Sequence, residues 1–318
     1  MKKGITLLLL GALVFVSHAQ TITFQPKWKV GDKKMVSHKV EQIKFVNDSL
    51  KGQTEEVSEY QVEILKENAT SFEIKFVTKN ALLTSVENLY EKLGEEMKPY
   101  GNLVLIYKVN KADGQVDLTN WEEAQNFMKS SLEQILKLVK KKDKDGVALV
   151  KLMLDPIVSI FDSKENTSAY MEDYIKWVVL PFGKNFVLGD TLKVKTSEPN
   201  PLNPGQSLFA TEKYVLHKSN ADSYSIDYIL DIDMGPFIET MKSMISDMGE
   251  SVGVEQNAID KKSKELENIK LDMVTSFVLT YDNNIGWVQT LQGNAIISGS
   301  EPTQGSFKSI NNISITYK

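Results

Sequence analysis

The chain has 318 residues, 37 of them basic and 42 acidic, for a formal charge of −5, and it contains no cysteine. A chain of that length buries roughly three quarters of its unfolded surface, so one large core or two ordinary ones can hold it without disulfides. Mild acidity without a basic patch argues against nucleic acid and anionic lipid surfaces as partners, and because every basic residue is Lys, the guanidinium forks that grip phosphates are missing.

Lys2 and Lys3 open the chain, and Ile5 to Val16 follow as an apolar run broken only by Thr6 and Gly11. Ser17-His18-Ala19 then sets small residues at the two positions a signal peptidase reads. Residues 1–19 are expected to be a secretory leader, cut between Ala19 and Gln20. The run is shorter than the about 20 residues a permanent span needs, and no cysteine follows it for lipidation. The expectation is an exported protein of the periplasm or extracellular space, with no transmembrane anchor once the leader is removed.

Beyond the leader, Trp28-Lys29-Val30-Gly31-Asp32 reads as a turn feeding a strand through Val36. Gly31 supplies positive φ there, and Asp32 bonds its own backbone. Tyr60, Val62 and Ile64, then Phe72, Ile74 and Phe76, alternate with polar residues as strands wetted on one face. Leu105-Ile106-Tyr107 leads through Asp113-Gly114 into Val116 as a hairpin. Trp121, Ala124, Met128, Leu132, Ile135 and Val139 share one helical face, with Thr119 or Asn120 opening a capping box. The basic run Lys140-Lys141-Lys142 complements the end of that helix, and Asp143-Lys144-Asp145-Gly146 reads as a turn between helices. Further helices are expected over 147–161, broken or kinked at Pro156, and over 168–178 with Tyr170, Met171, Tyr174, Ile175 and Trp177 apolar.

A second turn, Phe186-Val187-Leu188-Gly189-Asp190, feeds a strand through Val194. The Pro-rich stretch Glu198 to Gly205 reads as an exposed loop. Tyr224, Ile226, Tyr228, Leu230 and Ile232 alternate as a strand, and Pro236 sits well at the start of a helix carrying Phe237, Met241, Met244, Ile245 and Met248. Another helix is expected over 257–270. Leu279-Thr280-Tyr281 then turns at Gly286 into Trp287-Val288, and Ile313, Ile315 and Tyr317 mark a final strand.

The turn at Gly31-Asp32 recurs at Gly189-Asp190, and the hairpin at Gly114 recurs at Gly286, in the same order. The expected fold is α+β, with two related halves over 20–180 and 181–318. Each is a twisted antiparallel sheet with inserted helices packed on its apolar face, and the halves share one continuous sheet or pack as separate domains. One-sided alternation argues against a doubly wound parallel sheet.

The catalytic inventory is sparse. There is no G-x-S-x-G elbow, phosphate loop, H-E-x-x-H or dinucleotide fingerprint, so no cofactor is expected. After the leader, His38 and His217 are the only histidines, each in a strand pattern near corresponding points of the two halves, and no metal site is expected. The Met241, Met244 and Met248 face, with Phe237 and Ile245, is a flexible, polarisable surface that either covers the sheet or lines a cleft for an apolar ligand. Trp177 poses the same choice. The reading that follows is an exported, non-enzymatic binding or envelope-associated protein. A periplasmic carrier of lipid or another apolar ligand is the first alternative, and a secreted hydrolase using His38 or His217 the second. The partners this leaves are an apolar small molecule or an envelope protein.

Leu180-Pro181, then Phe186-Val187-Leu188-Gly189-Asp190-Thr191-Leu192, resembles a segment of exported Bacteroidota-type proteins with domains of unknown function. Those proteins carry Pro, an apolar residue and Gly-Asp before a Trp-led strand; here Leu192 stands near the usual Trp. The exported, sheet-and-helix pattern is also similar to the half-barrel lipoprotein carriers of the periplasm. That second likeness implies a sheet with a hollow side.

Overall fold

The computed structural model describes residues 21–80, 82–83, 94–142, 146–148, 150–151, 154, 160–200, 203–251, 257, 264, 266, 269–301 and 305–318. The strands of the first part are β1 (Thr21–Thr23), β2 (Lys33–Val46), β3 (Ser49–Glu67), β4 (Ser71–Lys79), β5 (Asn102–Asn110) and β6 (Val116–Leu118). Helices α1 (Trp121–Lys142) and α2 (Lys164–Val179) follow. The second part holds β7 (Asn185–Val187), β8 (Thr191–Asn200), β9 (Asn203–Lys218), β10 (Ser223–Ile232), helix α3 (Gly235–Ser251), β11 (Lys270–Asp282), β12 (Trp287–Glu301) and β13 (Gly305–Tyr317).

Eleven strands form one sheet in the order β6-β5-β4-β3-β2-β13-β12-β11-β10-β9-β8, and β1 pairs with β7 in a separate two-stranded sheet. Every pairing between these strands is antiparallel. The fold is mixed α+β with antiparallel sheet dominant. The first meander runs outward from the centre, β2 to β6, and the second runs inward from the far edge, β8 to β13. They meet where β13 pairs with β2, from Phe307 opposite Val46 to Tyr317 opposite Val36.

Alternation sorts the sheet into two faces. Val36, Tyr60, Val62, Ile64, Phe72, Ile74, Phe76, Leu105 and Tyr107 are all at most 5% exposed, and they form the face that the helices cover. Helix α1 lays Ala124, Met128, Leu132, Ile135 and Val139 onto this core, each buried. Asn120, expected to cap that helix, is used otherwise. Its amide accepts from Ile106 N–H at 2.7 Å and donates to Val104 O at 3.0 Å, which fastens the helix start to β5. Helix α2 begins four residues before the expected position, because Ser163 is its cap and accepts from Asn166 N–H at 3.1 Å. The Tyr107 hydroxyl donates to Met171 O and pins α2 over the same sheet.

The approach to each meander is built alike. Gly31 (φ 90°) and Gly189 (φ 77°) adopt the left-handed region. Their N–H groups donate to Ile64 O at 2.8 Å and Leu216 O at 2.9 Å. Asp32 accepts from Lys29 N–H at 2.8 Å, while the N–H of Asp190 donates to Val187 O at 3.1 Å. The segment before β2 packs on the turn of the other meander: Trp28 Nε1 donates to Gly286 O at 2.7 Å, and its ring lies 4.8 Å from Trp287. Conversely, the segment before β7 packs on the β5–β6 turn, where a side chain on Gly114 would meet Phe182 at 2.9 Å.

The Glu198–Gly205 stretch is not a loop. It forms the end of β8 and the start of β9, with 201–202 outside the described residues. Pro199 is tolerated because β8 is an edge strand, where a missing N–H breaks no ladder. The expected turn at 143–146, the helices over 147–161 and 257–270 and the leader lie wholly or largely outside the described residues, and Lys270 belongs to β11.

Candidate ligand-binding site

The two parts of the helix-covered face are sealed unequally. On α1, five of the expected apolar residues are buried; on α3, Phe237, Met241 and Ile245 are only half-buried, and Met244 is 40% exposed. The Met248 side chain lies outside the described residues. What is buried on α3 is polar. Thr240 Oγ1 accepts from Asn200 Nδ2 at 2.9 Å and donates to Gln206 Oε1, and Asn200, fully buried, also donates to Gln206 Oε1 at 3.0 Å. Three neutral side chains thus key α3 to the β8–β9 hairpin, leaving its apolar side to other contacts.

Register defines the floor beneath. Ala210, Ile232, Met273 and Ile297 lie in one row across β9 to β12; Glu212, Leu230, Thr275 and Ala295 in the next; Tyr214, Tyr228, Phe277 and Gly293 in a third. α3 starts three residues after Ile232, beyond the first row, while Trp177 of α2 stands over the third. Its ring meets Phe277 edge-on at 4.8 Å and Tyr228 at 5.9 Å. A side chain at Gly293 would run into the Phe277 ring at 2.7 Å, so Gly293 leaves that ring its place. Trp177 and the α3 residues Phe237, Met241 and Ile245 therefore belong to one face of the same strands, with the Glu212 row between the two register positions. Phe237 and Trp177 are half-buried and pack against the main core.

The floor carries one carboxylate, Glu212, 9% exposed, which accepts from the Tyr228 hydroxyl at 3.2 Å. Burial first, and the Glu212 charge second, hold the Tyr214 phenol far above its usual range, so it stays neutral. Lys184 lies over the Tyr214 ring at 5.1 Å and donates to Leu180 O at 2.7 Å, closing the end of α2. Burial lowers its pKa, opposed by the Glu212 charge. At the rim Lys176 and Glu198 pair at 3.2 Å, both largely shielded. Glu212 is missing from the sequence expectations; its signal is that it is the one charged residue in the inward series Leu208, Ala210, Glu212, Tyr214, Leu216, whereas the Asn200–Gln206–Thr240 key has no sequence signal.

The two histidines do not occupy corresponding points. His38 faces the helix-covered side of β2 beside Ile315, half-buried, and burial lowers its pKa against the opposing pull of Glu56. His217 is exposed on the opposite face of β9 and pairs with Asp227 at 3.0 Å. The landmark turns place β2 with β8, not with β9, in the order of each meander, which is why the correspondence fails. Among the described residues no group of three or more His, Asp or Glu gathers as a metal site, and no helix is long and apolar enough to cross a membrane.

No protein-family model matches the chain, and no curated protein matches it. Among solved structures it is similar to a DUF1329 family protein from Desulfovibrio piger, at 8% identity over 89% of this chain and 85% of that one, with a TM-score of 0.14. A likeness at that score carries no argument about fold or function.

Proposed function

We propose that this is an exported, non-catalytic binding protein that takes an apolar ligand between α3 and the β9–β12 floor. One observation carries the reading: α3 has an apolar face of which no described side chain is fully buried, although the helix is fixed in place by a buried polar key. A helix whose only task is to close a core buries that face, as α1 does. Met241 and Met244 suit a ligand of variable shape, because an unbranched thioether refits its contacts. Trp177, Glu212 and the Lys176–Glu198 pair give the ligand an aromatic wall and polar groups at one end.

The test is extraction and mass spectrometry of the gently purified mature protein, with titration of a fluorescent fatty-acid probe. A co-purified apolar molecule is expected, with probe affinity falling at least tenfold in Met241→Asp, about 1.4 kcal/mol. An empty protein whose probe binding is absent or unchanged by that substitution overturns the reading. Export is tested separately: the protein recovered from outside the cytoplasm is expected to begin at Gln20.

The halves 20–180 and 181–318 are, in this reading, products of a duplication. Support comes from the matched turns at Gly31 and Gly189, the matched turns at Gly114 and Gly286, and meanders that run in the same sense across the sheet. β1 and β7, each preceding its meander, pair with one another.

A further inference from the structure

On the face opposite the helices, the ends of β2, β11, β12 and β13 line an open pocket of about 280 Å³. Register places Asp272, Ser298, Lys308 and Phe45 in one row across these strands, and Lys270, Ser300 and Ser306 in the next. Asp48, in the β2–β3 turn, closes the second row. Taken round the mouth, Lys270, Asp272, Lys308 and Asp48 alternate in sign over a floor of serines. None of the four makes an ion pair or side-chain hydrogen bond among the described residues.

The walls are fixed by specific devices. Asn47 (φ 50°) and Asp48 (φ 59°) form a left-handed turn. Asn47 accepts from Ser306 N–H at 2.8 Å through its amide oxygen and donates its own N–H to Ser306 O at 2.8 Å, tying the two hairpin tips together. A side chain on Gly299 would come within 2.4 Å of the Phe307 ring; register sets both on the helix-covered face in one row with Leu271 and Val46, so that ring packs behind the pocket floor. The small residues Ser298 and Ser300 keep the pocket open.

We propose that this cavity binds a neutral saccharide unit. Each sugar hydroxyl both donates and accepts, which matches carboxylates and ammoniums in alternation, with serine hydroxyls serving either role. Two charges of each sign give no net attraction for a simple anion or cation. Phe45 offers apolar surface to the C–H face of a ring. At the small end of ligand pockets, which run from about 300 to 1,000 Å³, the cavity suits one or two rings.

The experiment is saturation-transfer NMR on the full mature protein with glucose, galactose, mannose and N-acetylglucosamine, each at about 10 mM, where even a millimolar Kd registers. Glycine serves as the zwitterionic comparison. Transfer to at least one sugar is expected, with Kd weakened at least tenfold by Asp272→Asn and transfer abolished by Ser298→Leu, which fills the cavity. Should Ser298→Leu fail to fold, the exposed pair Asp272→Asn and Lys308→Gln together carry the same expectation. No transfer to any sugar, transfer to glycine alone, or transfer that survives these changes overturns the proposal.

Discussion

Gly286 and Gly31 share a left-handed backbone yet differ in what surrounds them. A methyl at Gly286 would lie 2.4 Å from Lys27 N, whereas one at Gly31 meets nothing within 4 Å. Gly286→Ala is therefore expected to cost about 2–3 kcal/mol, adding overpacking to strain, and Gly31→Ala only about 1 kcal/mol of strain. Urea denaturation of the two variants separates them; equal losses would refute the packing argument. His38 has the opposite character, a titratable group in an apolar place. Its pKa is lowered from 6.5, so the folded state binds its proton less readily than the unfolded chain. Stability from this residue is present above pH 6.5 and is lost as pH falls through the lowered folded value. The drop in urea midpoint between pH 7.5 and pH 5 is expected to be smaller in His38→Gln than in the native protein.

Among the elements, α3 depends on its polar key. Thr240→Val keeps the shape but removes the hydroxyl that accepts from Asn200 and donates to Gln206, and a loss of about 1 kcal/mol is expected by urea denaturation. The edge strand β8 is protected by exposed Lys193 and Lys195 and by Pro199. Changing both lysines to Val is expected to produce self-association visible by sedimentation; a strictly monomeric variant would show that the edge is guarded by something else. The same elements show how far the sequence could be read. Strands with one-sided alternation, such as Tyr60–Ile64 and Tyr224–Ile232, and helix α1 with its apolar stripe were legible, because burial of one face writes a period into the residues. The β8–β9 hairpin was not, since its prolines signal a loop unless the edge position is known. The Met241 face was legible as apolar, but its half-burial depends on what the sheet places opposite it. The pocket by Phe45 arises where three consecutive strands, β11 to β13, meet β2 from the other end of the chain, which no local pattern records.

At the scale of the whole molecule, the sheet is joined where the first long strand meets the last, and the segment before β2 docks on a turn some 260 residues later, through Trp28 and Gly286. A fragment of residues 20–180 lacks β13, one of the two partners of β2, and the Gly286 turn on which Trp28 sits. It is expected to show no cooperative unfolding transition, and a sharp transition in that fragment would mean that the first meander is self-sufficient. The seam also sets a timetable. Contacts this distant along the chain form late, because the loop between them must close before they gain anything. A polypeptide threaded through a membrane amino end first, as the proposed export requires, must stay unfolded while it passes. Here the strand that completes the central pairing emerges after the other ten of its sheet, so the architecture itself postpones closure of the sheet until those have crossed.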